Sequence, residues 1–115
     1  MTQLDATRVL KEYHRAGFIM NVWQNTPESS IPKFPKAYIR AYRLIRKAIA
    51  AMDDERQQNV LNWCYLDQLT PVEICEKLDR SRSQYFQIKK DAVGKFASEF
   101  DRLYKKERGL NDGVD

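Results

Sequence analysis

Apolar residues recur at helical spacing along most of this chain, and proline, acidic or polar residues mark where each run stops. From Leu4 to Gln24, Ala6, Val9, Leu10, Tyr13, Ala16, Gly17 and Met20 fall on one helical face, and Phe18, Ile19, Val22 and Trp23 widen it. A surface that broad packs either on the rest of the domain or on a second subunit. Asn25 to Pro35 (NTPESSIPKFP) contains three prolines and two serines and predicts a loop, with Ile31 and Phe34 placed to pin it to a neighbour. Lys36 to Met52 predicts a second helix whose stripe is Ala37, Ala41, Leu44, Ile45, Ala48, Ile49 and Met52, with Lys36, Arg40, Arg43 and Lys47 mainly off it. Asp53-Asp54-Glu55 opens a third helix running to about Asp67, with Val60, Leu61, Cys64 and Tyr65 as its apolar stripe. Acidic groups in a first turn complement the positive end of the helix dipole, which explains the triplet without a catalytic or metal role.

Two helix starts then follow in close succession. Thr70 and Glu73 have the spacing of a capping box, with Pro71 at the first helical position, where its missing N–H is no loss. Ser81 and Gln84 repeat the box eleven residues later. The first of these helices has room for about two turns and buries Ile74, Cys75 and Leu78. Asp79-Arg80 must turn the chain, and aspartate tolerates the left-handed conformation usual at such a helix end better than most non-glycine residues. Short helix, tight turn and longer helix make a helix-turn-helix pattern over Thr70–Ala97. On the longer helix Tyr85, Ile88, Ala92, Phe96 and Leu103 line one side, with Val93 and Phe100 at its edge. Ser83, Gln87, Lys90 and Gly94 fall opposite, Gln84 and Phe86 flank them, and Arg82 lies in the first turn.

A polar face of this kind is the ordinary solvated surface of any soluble helix. The motif singles this one out, because the N-terminal part of its second helix enters the DNA major groove. There arginine donates twice to guanine and glutamine pairs with adenine. Arg82, Ser83, Gln87 and Lys90 are therefore candidate DNA contacts. Phe86 is placed either to touch a thymine methyl or to be covered by the third helix. Lys89, Lys90 and Lys95 are candidates for phosphate, which supplies most sequence-independent affinity.

The run Leu69-Thr70-Pro71-Val72-Glu73-Ile74-Cys75-Glu76-Lys77-Leu78, followed by Ser81-Arg82-Ser83-Gln84-Tyr85, resembles the C-terminal helix-turn-helix of sigma-factor region four. The resemblance covers roughly Asp53 to Tyr104. A short chain with this module in its C-terminal half and a helical segment before it is similar to phage late-gene regulators of the ArpU and RinA type. The resemblance implies sequence-specific DNA binding and transcription activation, with Arg82, Ser83, Gln84 and Gln87 reading bases and Thr70 contacting a phosphate. Two positions depart from the pattern: Asp79-Arg80 stands where the family commonly has glycine, and Tyr85 where a smaller aliphatic residue is usual.

Composition adjusts this picture only in part. The chain has 115 residues, 43% of them hydrophobic, enough for one modest all-α core. Its organisation reads as an N-terminal helix and proline-rich linker over 1–35, a candidate oligomerisation segment. A helical DNA-binding domain over 36–108 and a flexible tail over 109–115 follow. The net charge is +4 and the pI about 9.1, compatible with a polyanionic partner. The charge is sorted along the chain. Residues 36–52 hold five bases and no acid, 53–79 seven acids and two bases, and 80–108 nine bases and four acids, so the second basic block begins where the longer motif helix begins.

Cys64 and Cys75 sit in apolar contexts and read as core thiols of a reducing compartment. No signal peptide or membrane-spanning run is evident, which predicts a cytoplasmic protein. His14 has no partner in sequence, no glycine-rich phosphate loop exists, and no nucleophile–base pair stands out, so neither an enzyme nor a cofactor is expected. The leading expectation is a homodimeric transcription regulator on double-stranded DNA. The alternatives are a DNA-packaging subunit of the small-terminase kind, or a module that contacts RNA polymerase without reading DNA.

Overall fold

The computed structural model describes residues 2–112, and its regular structure there is entirely helical. In chain order the helices are α1 (Gln3–Lys11), α2 (Tyr13–Trp23), α3 (Lys33–Ala50), α4 (Glu55–Leu61), α5 (Pro71–Leu78) and α6 (Arg82–Asp112). A single 3₁₀ turn (Glu28–Ser30) interrupts the loop before α3, and a π turn (Asn62–Leu66) continues α4. The protein is thus all-α, as the hydrophobic spacing predicts.

The expected first helix is divided. At Glu12 (φ −83°, ψ −6°) the backbone tightens, and its N–H donates to the Val9 carbonyl at 3.1 Å instead of one residue further back. No proline or glycine marks the break. Its cause is packing: α1 lies against α6, whereas α2 lies against α3 and the π turn. One straight rod cannot serve both. The buried stripe Ala6, Leu10, Tyr13 and Ala16, all at 0% exposure, runs through the break.

Helix α3 begins at Lys33, three residues before the expected start, and takes Pro35 into its first turn, where a missing N–H costs nothing. Within the expected acidic triplet only Asp54 is the cap. Its Oδ1 accepts from the N–H groups of Arg56 at 2.9 Å and Gln57 at 3.2 Å. The third helix does not run evenly to Asp67 either. In the π turn the Asp67 N–H reaches the Asn62 carbonyl five residues back, at 2.9 Å. The widened turn directs Tyr65 into the main core and leaves Cys64 half-buried between the main core and a smaller one.

The main core joins Ala6, Leu10 and Tyr13 of the N-terminal segment to Ile45, Ala48 and Ile49 of α3, Leu61 of α4, and Ala92, Phe96 and Phe100 of α6. The segment read from sequence as preceding the DNA-binding domain therefore shares one core with it. The smaller cluster of Val60, Ile74 and Tyr85, flanked by Trp63, Leu69, Leu78 and Ile88, lies beneath α5 and the start of α6. The tail expected from residue 109 is instead helical through Asp112, and 113–115 fall outside the described residues.

Candidate nucleic-acid interface

Both capping boxes form. The Thr70 N–H and hydroxyl donate to Glu73 Oε1 at 3.1 and 3.0 Å, and the Glu73 N–H donates to Thr70 Oγ1 at 3.2 Å. At the second start the Ser81 N–H donates to Gln84 Oε1 at 3.0 Å, and the Gln84 N–H donates to Ser81 Oγ at 3.2 Å. Each box satisfies backbone donors that the first turn of a helix leaves without partners.

Between the boxes Asp79 adopts φ 53°, ψ 50°, the left-handed conformation anticipated for it. Its N–H bonds to the Glu76 carbonyl at 3.3 Å and that of Arg80 to the Cys75 carbonyl at 3.2 Å, the paired bonds of a Schellman ending. Helix, tight turn and helix are therefore in place. Glycine suits this backbone better than aspartate, so Asp79→Gly is expected to raise stability by up to about 1 kcal/mol and Asp79→Val to lower it by about 1–2 kcal/mol. Urea denaturation midpoints at constant m-value would show both.

The caps also respond to pH. The backbone N–H of Thr70, and then its hydroxyl, hold the Glu73 carboxyl below its ordinary value of 4.5. An acid whose pKa is depressed on folding stabilises the fold above its unfolded value, and that stabilisation is lost as pH falls through the folded one. Thr70→Ala is expected to lose about 1 kcal/mol at neutral pH, the usual effect of removing a cap. The gap between wild type and variant should narrow once the pH drops below 4.5. Thermal melts at neutral and acid pH test this.

Helix α6 is anchored by Tyr85, Ala92, Val93, Phe96 and Phe100, all 9% exposed or less. Opposite them Arg82, Ser83, Gln87 and Lys90 are exposed, and Phe86 is 46% exposed, its ring 5.0 Å from that of Tyr85. The Arg82 guanidinium lies 5.9 Å over the Phe86 ring, so these two form one projecting unit. The remaining candidates are placed differently. Gln84 is exposed, but its carbonyl oxygen is engaged by the cap, which leaves its NH₂ as the outward group. Thr70 sits at the far end of α5 with its hydroxyl engaged by Glu73. Lys89 is half-buried, its ammonium 5.5 Å over the Tyr65 ring, whose phenol burial pushes up to about 12 and so keeps neutral. Lys95 is exposed one turn beyond Asp91.

The outward face is also shorter than the helical wheel implies. Gln3 Nε2 donates to the Lys90 carbonyl at 3.1 Å, and a Cβ added to Gly94 would lie 3.3 Å from that nitrogen. The start of α1 thus covers the face at Gly94, leaving Arg82 to Asp91 as the open surface. A cleft of about 480 Å³ adjoins it, with Pro71, Val72 and Cys75 on one wall and Arg80, Arg82 and Gln84 on the other. Sequence reading missed Arg80 and Val72 as lining residues. It also missed Asp91, whose Oδ1 accepts from Gln87 Nε2 at 3.1 Å, although the spacing of four residues on a helix signals such a contact.

The electrostatics of the tip are unusual for a helix start. No acid lies in the first turn of α6. Arg80 and Arg82 stand instead at the positive end of the dipole, where a cation opposes helix stability. Their position suits an anion arriving from outside. Among the described residues no cluster of three or more His, Cys, Asp or Glu is placed to hold a metal, and no helix is long and apolar enough to cross a membrane. Cys64 and Cys75 are free thiols.

These features define an all-helical protein that presents a short helix, a tight turn and the polar tip of a long helix. The chain belongs to the family described as protein of unknown function (DUF1492), whose model matches residues 24–97, from the end of α2 through the turn and into the middle of α6. No curated protein and no solved structure matches the chain.

Proposed function

We propose that this chain binds double-stranded DNA through α5 and α6, with the first turns of α6 in the major groove, and acts in the cytoplasm as a transcription regulator of the phage late-gene activator kind. The observation that supports this best is the tip of α6. Arg82, Ser83, Gln87 and Lys90 are exposed together on a helix held rigidly by its other side, and Arg80 and Arg82 occupy a helix end where their charge opposes the dipole. On this reading Arg82 recognises guanine, Gln87 recognises adenine, and Phe86 contacts a thymine methyl. Ser83 and the Gln84 NH₂ add single hydrogen bonds to bases, while Lys90 and Lys95 meet phosphates. Lys89 and Thr70 reach the duplex only if their present contacts open. One such motif spans few base pairs, so a homodimer on two half-sites is part of the proposal, as is a contact with RNA polymerase during activation.

Selection from random duplexes by gel shift tests the proposal. The expected result is a discrete site, bound with an affinity that falls steeply as salt rises, and with two-fold symmetry that reports the dimer. Absence of duplex binding, or binding indifferent to salt, overturns it. A ring of eight or more subunits by native mass would point to DNA packaging instead.

A further inference from the structure

Asp91 is the sole acid between Arg82 and Ala97 and stands one turn beyond Gln87, at the margin of the open face. A carboxylate beside a polyanion weakens attraction to every phosphate nearby. The fold gives little compensation for it, since Asp91 is exposed and its hydrogen-bond partner is another exposed side chain one helical turn away, Gln87 Nε2 at 3.1 Å. That bond has a chemical consequence. A glutamine amide has one acceptor oxygen and an NH₂ with two hydrogens, and it can flip to exchange the two ends. A carboxylate has only acceptors, so it binds the NH₂ end alone and fixes which way the amide faces. One amide hydrogen is taken by Asp91. The other hydrogen and the oxygen remain, the pair that a two-point contact with adenine uses.

We propose that Asp91 is a positioning residue that sets the base preference of Gln87 by fixing its amide orientation, lowering general affinity for DNA in exchange for discrimination at one base pair. This rests on the DNA-binding reading above. It predicts that two properties move in opposite directions. In the full-length protein, Asp91→Ala should reduce discrimination at a single position of the selected site by about three- to tenfold. The same variant should bind random-sequence duplex about two- to fivefold more tightly at low salt. Asp91→Asn lacks the charge and offers a donor as well as an acceptor, so it can bind either end of the Gln87 amide; it should lose part of the base preference while also gaining non-specific affinity.

Competition binding on a panel of duplexes carrying all four bases at each position, with Gln87→Ala as the reference that identifies its position, reads all of this. A merely helix-stabilising contact would leave the base preference of Asp91→Ala intact, and that result overturns the inference while DNA binding by the wild type stands. Loss of preference at a position other than the one Gln87→Ala reveals overturns it too. Failure of the wild type to bind any duplex overturns both this inference and the reading beneath it, and so is distinguishable from failure of the inference alone.

Discussion

Tyr85→Ala is expected to lower the unfolding free energy by about 3–5 kcal/mol, the range for removing a large buried aromatic ring, and Tyr85→Phe to change it by less than about 1 kcal/mol. The contrast follows from what the side chain touches. Its ring is 1% exposed and fills the cluster with Val60 and Ile74 that joins α4, α5 and the start of α6. Among the described residues the hydrogen-bond partner of its hydroxyl is the Cys64 sulfur, 4.0 Å away, a weak acceptor. Burial also pushes the phenol well above its ordinary value, so it stays neutral throughout the accessible range and adds no charge to this small core. The size of the ring therefore matters and the oxygen hardly does. Calorimetry on the two variants would separate them, and equal losses would show that the hydroxyl has a partner of real strength.

The larger functional effect is expected from the exposed tip. The double variant Arg82→Ala/Gln87→Ala should retain the wild-type circular dichroism and melting behaviour, because both side chains are exposed and neither belongs to a core cluster. Its specific affinity for the selected duplex should fall by about 2–6 kcal/mol, two base contacts at about 1–3 kcal/mol each. Lys90→Ala should instead weaken all sequences about equally and reduce the salt slope by about one. Fluorescence anisotropy over a salt series measures both variants. If the double variant retains full affinity and preference, the tip is not the reading surface.

Where the sequence is informative, it is so because the governing interactions are local. The two boxes, Thr70 with Glu73 and Ser81 with Gln84, satisfy backbone donors within one turn, and they occur at the positions their spacing implies. The left-handed Asp79 is local in the same sense, and the apolar stripe of α6 follows from periodicity alone. What escapes the sequence is decided between distant segments. The break at Glu12 arises because α1 and α2 pack on different helices, and the π turn because Tyr65 is drawn into a core built largely by α1, α3 and α6. Gln3 shortens the open face from 87 residues away by bonding to the Lys90 carbonyl. Lys89 reads as a candidate phosphate contact, yet it turns back over Tyr65, an orientation that only the fold determines.

Helix α6 extends for 31 residues, about 46 Å at 1.5 Å per residue. The same rod that exposes Arg82 also contributes Ala92, Phe96 and Phe100 to the middle of the molecule. It has no proline, and the one glycine between Arg82 and Phe100, Gly94, is clamped by Gln3, so no joint lies between the polar end and the interior. Whatever docks against the tip must then meet a stiff probe: accommodation has to come from side-chain rotamers, from reorientation of the entire body, or from bending of the docked molecule itself.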